Sequence, residues 1–247
     1  MRLVLLGTTG YHPNDRRQTA CFLLPEIGVM LDAGTGVYRA AEYLSTSHLD
    51  IFLTHVHLDH VVGLTFLFDV VRAHPLEPIR VHGDGKHLDE VQRHLFAPAI
   101  FPARPPFEFV PLAGEVSLPA GGRLSYFPLA HPGDSLGYRL DWPHGSLAYV
   151  TDTVADLRAD YVERIRGVDL LIHECYFPDS SAEWARTTGH SNITPVAEVA
   201  RKAGVGRLVL VHVDPFSPDE DPVGLGTAKK IFPRTEIGCD RMVLEVG

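Results

Sequence analysis

A chain of 247 residues with 45% apolar and 21% charged residues is long enough to bury a sizeable core and is read as one domain, 1–247. Its 22 basic against 31 acidic residues give a net charge of −9, which argues against a broad basic face and against long nucleic acid as a partner. Cys21, Cys175 and Cys239 lack Cys-x-x-Cys spacing, so neither a disulfide framework nor a thiolate metal site is supported.

The elements follow in chain order. The opening Arg2 to Leu6 reads as a first strand, too short an apolar run for a signal segment, and no stretch of about 18 apolar residues suggests a membrane helix. A cytoplasmic protein without membrane contact is expected. Strands at Ala20 to Leu24 and Gly28 to Asp32 precede a helix over Val37 to Leu44, and Ile51 to Thr54 reads as a buried strand. Leu64, Leu67, Phe68 and Val71 carry the helical period over Val61 to Arg72, stopping before Pro75. A strand at Ile79 to His82, a helix over Lys86 to Leu95 and a Pro-rich loop from Pro98 to Pro106 come next. Strands are then expected at Phe107 to Val110, Leu124 to Leu129, Gly137 to Asp141 and Ser146 to Val150. A helix over Arg158 to Ile165 and a strand at Asp169 to Ile172 follow. Thr194 and Pro195 suit the cap and first turn of a helix whose Val196, Val199, Ala200 and Ala203 share one face, ending at Gly204.

The densest chemistry lies in Thr54-His55-Val56-His57-Leu58-Asp59-His60, on a turn from strand to helix. Imidazole and carboxylate suit Zn²⁺ and its neighbours. Alternate residues His55 and His57 can face one point, with Asp59 and His60 facing a second beside it. This His-x-His-x-Asp-His run resembles the signature of the metallo-β-lactamase superfamily. The resemblance implies an α/β fold, the four-layer αβ/βα sandwich. It also implies three later ligands, each matched at the end of an apolar run: His131 after Phe127 to Ala130, Asp152 after Ala148 to Thr151, and His212 after Leu208 to Val211. Carried over residue by residue, His55, His57 and His131 would hold one divalent ion and Asp59, His60 and His212 a second, with Asp152 bridging them. Zn²⁺ is the first choice, and Mn²⁺ or Fe²⁺ accept the same donors.

Two adjacent ions can share a water and lower its pKa toward neutrality, so hydrolysis is the expected reaction. Asp59 is a candidate proton acceptor from that water. Gly189-His190-Ser191, with Glu174 upstream, resembles the ribonuclease Z branch and the related phosphodiesterase of phosphonate breakdown. By that resemblance His190 binds the phosphate or protonates the leaving oxygen, and Glu174 orients it. Asp32 resembles the acid that braces the metal loop, and the polar segment Tyr11 to Gln18, with His12, Arg16 and Arg17, is placed to reach over the site. Only 21 positions separate His131 from Asp152, which leaves no room for the projecting arm with which ribonuclease Z grips transfer RNA. The stretch Glu236 to Val246, in which Asp240 in a turn precedes a closing strand, again resembles these phosphodiesterases.

The expectation is a binuclear metal-dependent hydrolase of small or cyclic phosphodiesters. A carboxylic ester, thioester or lactone hydrolase of the same fold, or a non-catalytic metal-binding module, is the alternative. A homodimer is compatible with the sequence.

Overall fold

Val-, Leu- and Ile-rich runs bounded by Gly, Pro and Asp become strands here because their residues are buried on both faces of a sheet. The computed structural model describes residues 1–217 and 219–247. Contacts divide the chain into two compact units, Met1–Gly114 with Asp240–Glu245, and Glu115–Cys239 with Val246–Gly247.

The first unit contains β1 (Arg2–Gly7), β2 (Cys21–Leu24), β3 (Val29–Leu31), β4 (Leu49–Phe52), α1 (Leu58–Val61), α2 (Leu67–Ala73), β5 (Ile79–Gly83), α3 (Gly85–Glu90) and β6 (Glu108–Pro111). The second contains β7 (Val116–Leu118), β8 (Gly122–Leu129), β9 (Ser135–Trp142), β10 (Gly145–Val150), α4 (Tyr161–Arg164), β11 (Leu170–Glu174), α5 (Ala182–Thr188), α6 (Ile193–Ala203), β12 (Arg207–Val211), α7 (Leu225–Ile231) and β13 (Thr235–Ile237). The chain then returns to the first unit as β14 (Val243–Glu245), antiparallel to β1.

Among the described residues there are two seven-stranded sheets, in the orders β14-β1-β2-β3-β4-β5-β6 and β13-β12-β11-β10-β9-β8-β7. Each joins an antiparallel half to a parallel half, β3-β4-β5-β6 in one and β10-β11-β12-β13 in the other. The loops leaving parallel strands at their carboxyl ends are where such sheets bind ligands. Those loops carry Asp32, the His55–His60 run, Asp152 and His212. Val37, Ala40, Val61, Leu64 and Leu67 pack on Val4, Leu6 and Ile51 in the first unit; Val196, Val199, Ala200 and Ala203 pack on Ala148, Leu171 and Leu208 in the second. Burying each such Val or Leu contributes about 1.5–3 kcal/mol before the entropic cost of ordering it.

Several expected elements differ, among them the helix over Lys86 to Leu95, which is α3 followed by a π-helical segment at Val91–Leu95. The helix at Val37 to Leu44 is a 3-10 helix over Thr35–Glu42. Its buried Val37 and Ala40 lie three apart, the spacing that eclipses in that geometry. The run over Val61 to Arg72 is broken into α1, a 3-10 segment at Val62–Phe66, and α2. The break falls at Gly63, where an added Cβ would stand 2.0 Å from the Gly34 carbonyl oxygen, so backbone contact outweighs helical continuity. The helix expected from Arg158 shrinks to α4. In α6 the cap residue is Asn192, not Thr194, and the Asp179 carboxylate accepts from the Thr194 N–H at 3.0 Å, supplying the acceptor from a distant loop. Gly204 ends α6 at φ +65°, as a left-handed C-terminal residue should. Among the described residues no helix is long and apolar enough to cross a membrane.

Candidate metal centre

In the first unit the motif begins just past β4. His57 caps α1, Asp59 and His60 fall in its first turn, and the His55 ring lies 4.6 Å from that of His57 and 4.2 Å from that of His60, centroid to centroid. Asp32, fully buried at φ +57°, fixes this turn from behind. Its carboxylate accepts from the Thr54 N–H at 2.8 Å and the Thr54 hydroxyl at 2.9 Å, and it meets His60 Nδ1 at 2.8 Å. The chain after it clasps the motif: the Ala33 N–H donates to the His60 carbonyl and the Gly63 N–H to the Ala33 carbonyl, both at 2.8 Å. Gly34 permits that approach, since a Cβ there would lie 2.5 Å from the Asp59 carbonyl oxygen. Asp59 Oδ2 accepts the Tyr11 N–H at 2.8 Å and stands 3.4 Å from His60 Nε2, so the first residue of the Tyr11 to Gln18 segment meets the motif through its backbone.

In the second unit His131, Asp152, Glu174, His190 and His212 converge. His131 Nε2 is 3.7 Å from Asp152 Oδ2 and His212 Nε2 is 3.3 Å from Asp152 Oδ1. Asp152 and His212 have φ of +39° and +54°, a left-handed backbone that costs a non-glycine residue about 1–3 kcal/mol and clusters at functional sites. Asp152, His190 and His212 each bring a donor atom within 4.8 Å of the others. His131 Nδ1 meets the Gly189 carbonyl at 2.9 Å, a contact that needs glycine: φ is +81° and a Cβ would lie 2.4 Å from Pro132 Cδ.

Glu174 is fully buried and organises the surrounding loops. One oxygen accepts the Thr153 N–H at 2.7 Å and meets His190 Nδ1 at 3.2 Å; the other accepts the Ser191 N–H at 3.2 Å. The Ser191 hydroxyl donates to the Thr153 carbonyl at 2.6 Å, tying the β10 loop to the loop before α6. Tyr176, absent from the residues picked out in the sequence, stacks on His190 at 4.9 Å and approaches His212 at 5.6 Å. An aromatic two positions past Glu174 carries no periodic signal, and only its neighbours reveal it. Burial pushes the Cys175 thiol well above its ordinary range, with the Glu174 carboxylate adding to the effect, which favours the protonated thiol there.

The donor set fits divalent metal ions. His60 and His131 each engage Nδ1 with a carboxylate or carbonyl, which fixes the ring and presents Nε2 for coordination, the arrangement that metal-binding imidazoles adopt. His131 and His212 address the two different oxygens of Asp152.

The comparisons agree with this geometry. The beta-lactamase superfamily domain matches residues 28–213. Ribonuclease Z of Bradyrhizobium sp. (strain ORS 278) is 29% identical over 298 aligned positions, covering 96% of this chain and 97% of the relative. Ribonuclease Z of Archaeoglobus fulgidus is 29% identical over 305 positions, covering 99% and 97%. The metallo-beta-lactamase fold protein YhfI from Bacillus subtilis superposes with a TM-score of 0.81 at 20% identity, over 99% of both chains. Human tRNase Z, short form, gives 0.77 at 20% identity over 100% of both, and a diphosphatase of the PhnP family 0.74 at 20% over 100% and 98%. The expectation against long nucleic acid gains no support here, because the two relatives are named as ribonucleases and net charge does not report on local surfaces. With the α/β fold, the donor set and a match over most of its length, the chain belongs to the metallo-β-lactamase superfamily of metal-dependent hydrolases.

Proposed function

We propose that the protein is a binuclear phosphodiesterase of small phosphodiester substrates, in which His55, His57 and His131 would hold one ion, Asp59, His60 and His212 a second, and Asp152 would serve both. When bound, the ions bring the pKa of a water toward neutrality and offset charge on the scissile phosphate. The observation that carries the reading is His190, held by a fully buried carboxylate beside Asp152 and His212. With Glu174 on Nδ1 and Tyr176 against its face, the ring is fixed to hold a proton at Nε2 and deliver it to the leaving oxygen. Glu174 stabilises the charged ring before that transfer. Asp59, whose Oδ2 accepts the Tyr11 N–H, is oriented to take a proton from the attacking water.

Cleavage of RNA is the second reading, favoured by the ribonuclease Z relatives. The small-substrate reading is supported by length. The Bradyrhizobium alignment runs over 298 positions against 247 residues here, so that relative carries segments without a counterpart. Between β9 and β10 the chain turns through Pro143 and His144 alone, where the expected site of the RNA-gripping arm would fall. Hydrolysis of bis(p-nitrophenyl) phosphate, p-nitrophenyl acetate and a precursor transfer RNA by Zn²⁺- or Mn²⁺-loaded protein tests the reading. Chelator-sensitive turnover of the diester without RNA cleavage is expected. Ester turnover alone would overturn the phosphodiesterase reading, and efficient RNA cleavage would replace the small substrate.

A further inference from the structure

Thr54 opens the donor run and is buried with it, yet the proposed ligand set gives it no task. Its hydroxyl stands between two groups. Oγ1 is 3.0 Å from Asp32 Oδ1 and 2.9 Å from Asp32 Oδ2 on one side, and 3.1 Å from His55 Nδ1 on the other. The same carboxylate meets His60 Nδ1 at 2.8 Å through Oδ2. Asp32, Thr54, His55 and His60 are all at most 1% exposed, so the direction of each hydrogen bond is decided among these side chains.

Proton counting gives those directions. A carboxylate only accepts, whereas a hydroxyl has one proton to give and lone pairs with which to receive. With its proton given to Asp32, Thr54 Oγ1 accepts from the imidazole, and His55 therefore carries its proton on Nδ1. The reverse orientation, with the hydroxyl donating to His55, would set an oxygen lone pair against a buried carboxylate and leave that contact repulsive. His60 Nδ1, facing the same carboxylate, carries its proton for the same reason. Both rings then offer Nε2 as a lone pair, the form in which imidazole binds a divalent ion.

We propose that the Thr54 hydroxyl is a bridge through which one carboxylate, Asp32, sets the tautomers of two metal-binding histidines, His60 directly and His55 through Thr54. Thr54 is then a positioning residue, and a single buried acid prepares a donor for each of the two ions. The proposal rests on the binuclear assignment above, which gives His55 to one ion and His60 to the other.

The test has two readouts, neither of which is turnover. Two-bond proton–nitrogen correlation spectra of the ¹⁵N-labelled, metal-free protein, recorded above the imidazole titration range, should show His55 and His60 both protonated at Nδ1. In Thr54→Val, which keeps the shape and removes the hydroxyl, the Nε2-protonated form of His55 should appear while His60 is unchanged; Thr54→Ser should restore the native pattern. Zn²⁺ titration against a chromogenic chelator should show one of two binding steps weakened about 10–100-fold in Thr54→Val, both weakened in Asp32→Asn, and the native pair regained in Thr54→Ser. A native His55 protonated at Nε2, Zn²⁺ steps in Thr54→Val that are both unchanged or both weakened, or a Thr54→Ser that behaves as Thr54→Val would overturn the bridge. Native tautomers as assigned in a protein that binds no Zn²⁺ would instead overturn the binuclear reading and leave the Thr54 bridge standing.

Discussion

Asp32 contributes without belonging to the proposed ligand set. Its carboxylate serves Thr54 twice and holds His60 by Nδ1, so the orientation of His60 Nε2 depends on it. Asp32→Asn keeps the shape but substitutes a neutral partner that can present N–H where an acceptor is needed. Metal affinity, measured by competition with a chromogenic chelator, is expected to fall 10–100-fold; unchanged affinity would remove Asp32 from the metal site. His190 has a separate signature. His190→Ala should retain both metals and slow cleavage of alkyl leaving groups about 10²- to 10⁴-fold, while largely sparing p-nitrophenolate, which departs without a proton. Equal losses on both leaving groups would refute the acid role, and loss of metal would make His190 a ligand.

At the scale of elements, β11 carries a polar group into the core of the second unit. His173 is fully buried, its Nε2 3.2 Å from the Tyr161 hydroxyl and its Nδ1 2.7 Å from the Glu174 carbonyl. Burial holds its pKa below the ordinary value of 6.5, against smaller opposing effects from Glu174. Burial, with help from Glu174 and Asp156, also drives the Tyr161 hydroxyl far above its usual range, so that hydroxyl stays protonated. Because the folded pKa of His173 is depressed, the unfolded chain binds the proton first. This group leaves stability unaffected above pH 6.5 and lowers it as pH falls below that value, by at most about 1.4 kcal/mol per pH unit. Urea midpoints from pH 7.5 to 5.5 should therefore fall less steeply for His173→Gln than for the native protein; parallel curves would mean His173 charges freely in the fold.

For the molecule as a whole, metal and stability should be linked. A donor set that exists only in the folded chain binds the native state alone, which stabilises by about 4 kcal/mol at a free-ion concentration 1,000 times Kd. Chelation is expected to lower the unfolding temperature and re-addition of Zn²⁺ or Mn²⁺ to restore it. An unfolding temperature indifferent to chelator would argue against resident ions.

The sequence by itself determined the His55–His60 run, because four donors within six consecutive positions need no tertiary information to be seen together. It also determined the parallel-strand runs and α6, whose buried stripe repeats at the helical period. Elements without such a stripe were illegible. In α5 and α7 the only fully buried residues are Ala185 and Ala228, so neither sequence shows a face. The broken helix after His60 depended on Gly63 meeting Gly34, a contact between loops 29 positions apart. His131, Asp152 and His212 were recognisable only as strand-end polar residues matched to a family pattern. Their convergence on the two oxygens of Asp152, the left-handed backbone that aims Asp152 and His212, and the hold of Glu174 on two loops were decided by tertiary structure. The physical reason is that local propensity sets which residues end a strand, whereas the direction of each side chain follows from strand register and from hydrogen bonds closed between distant segments.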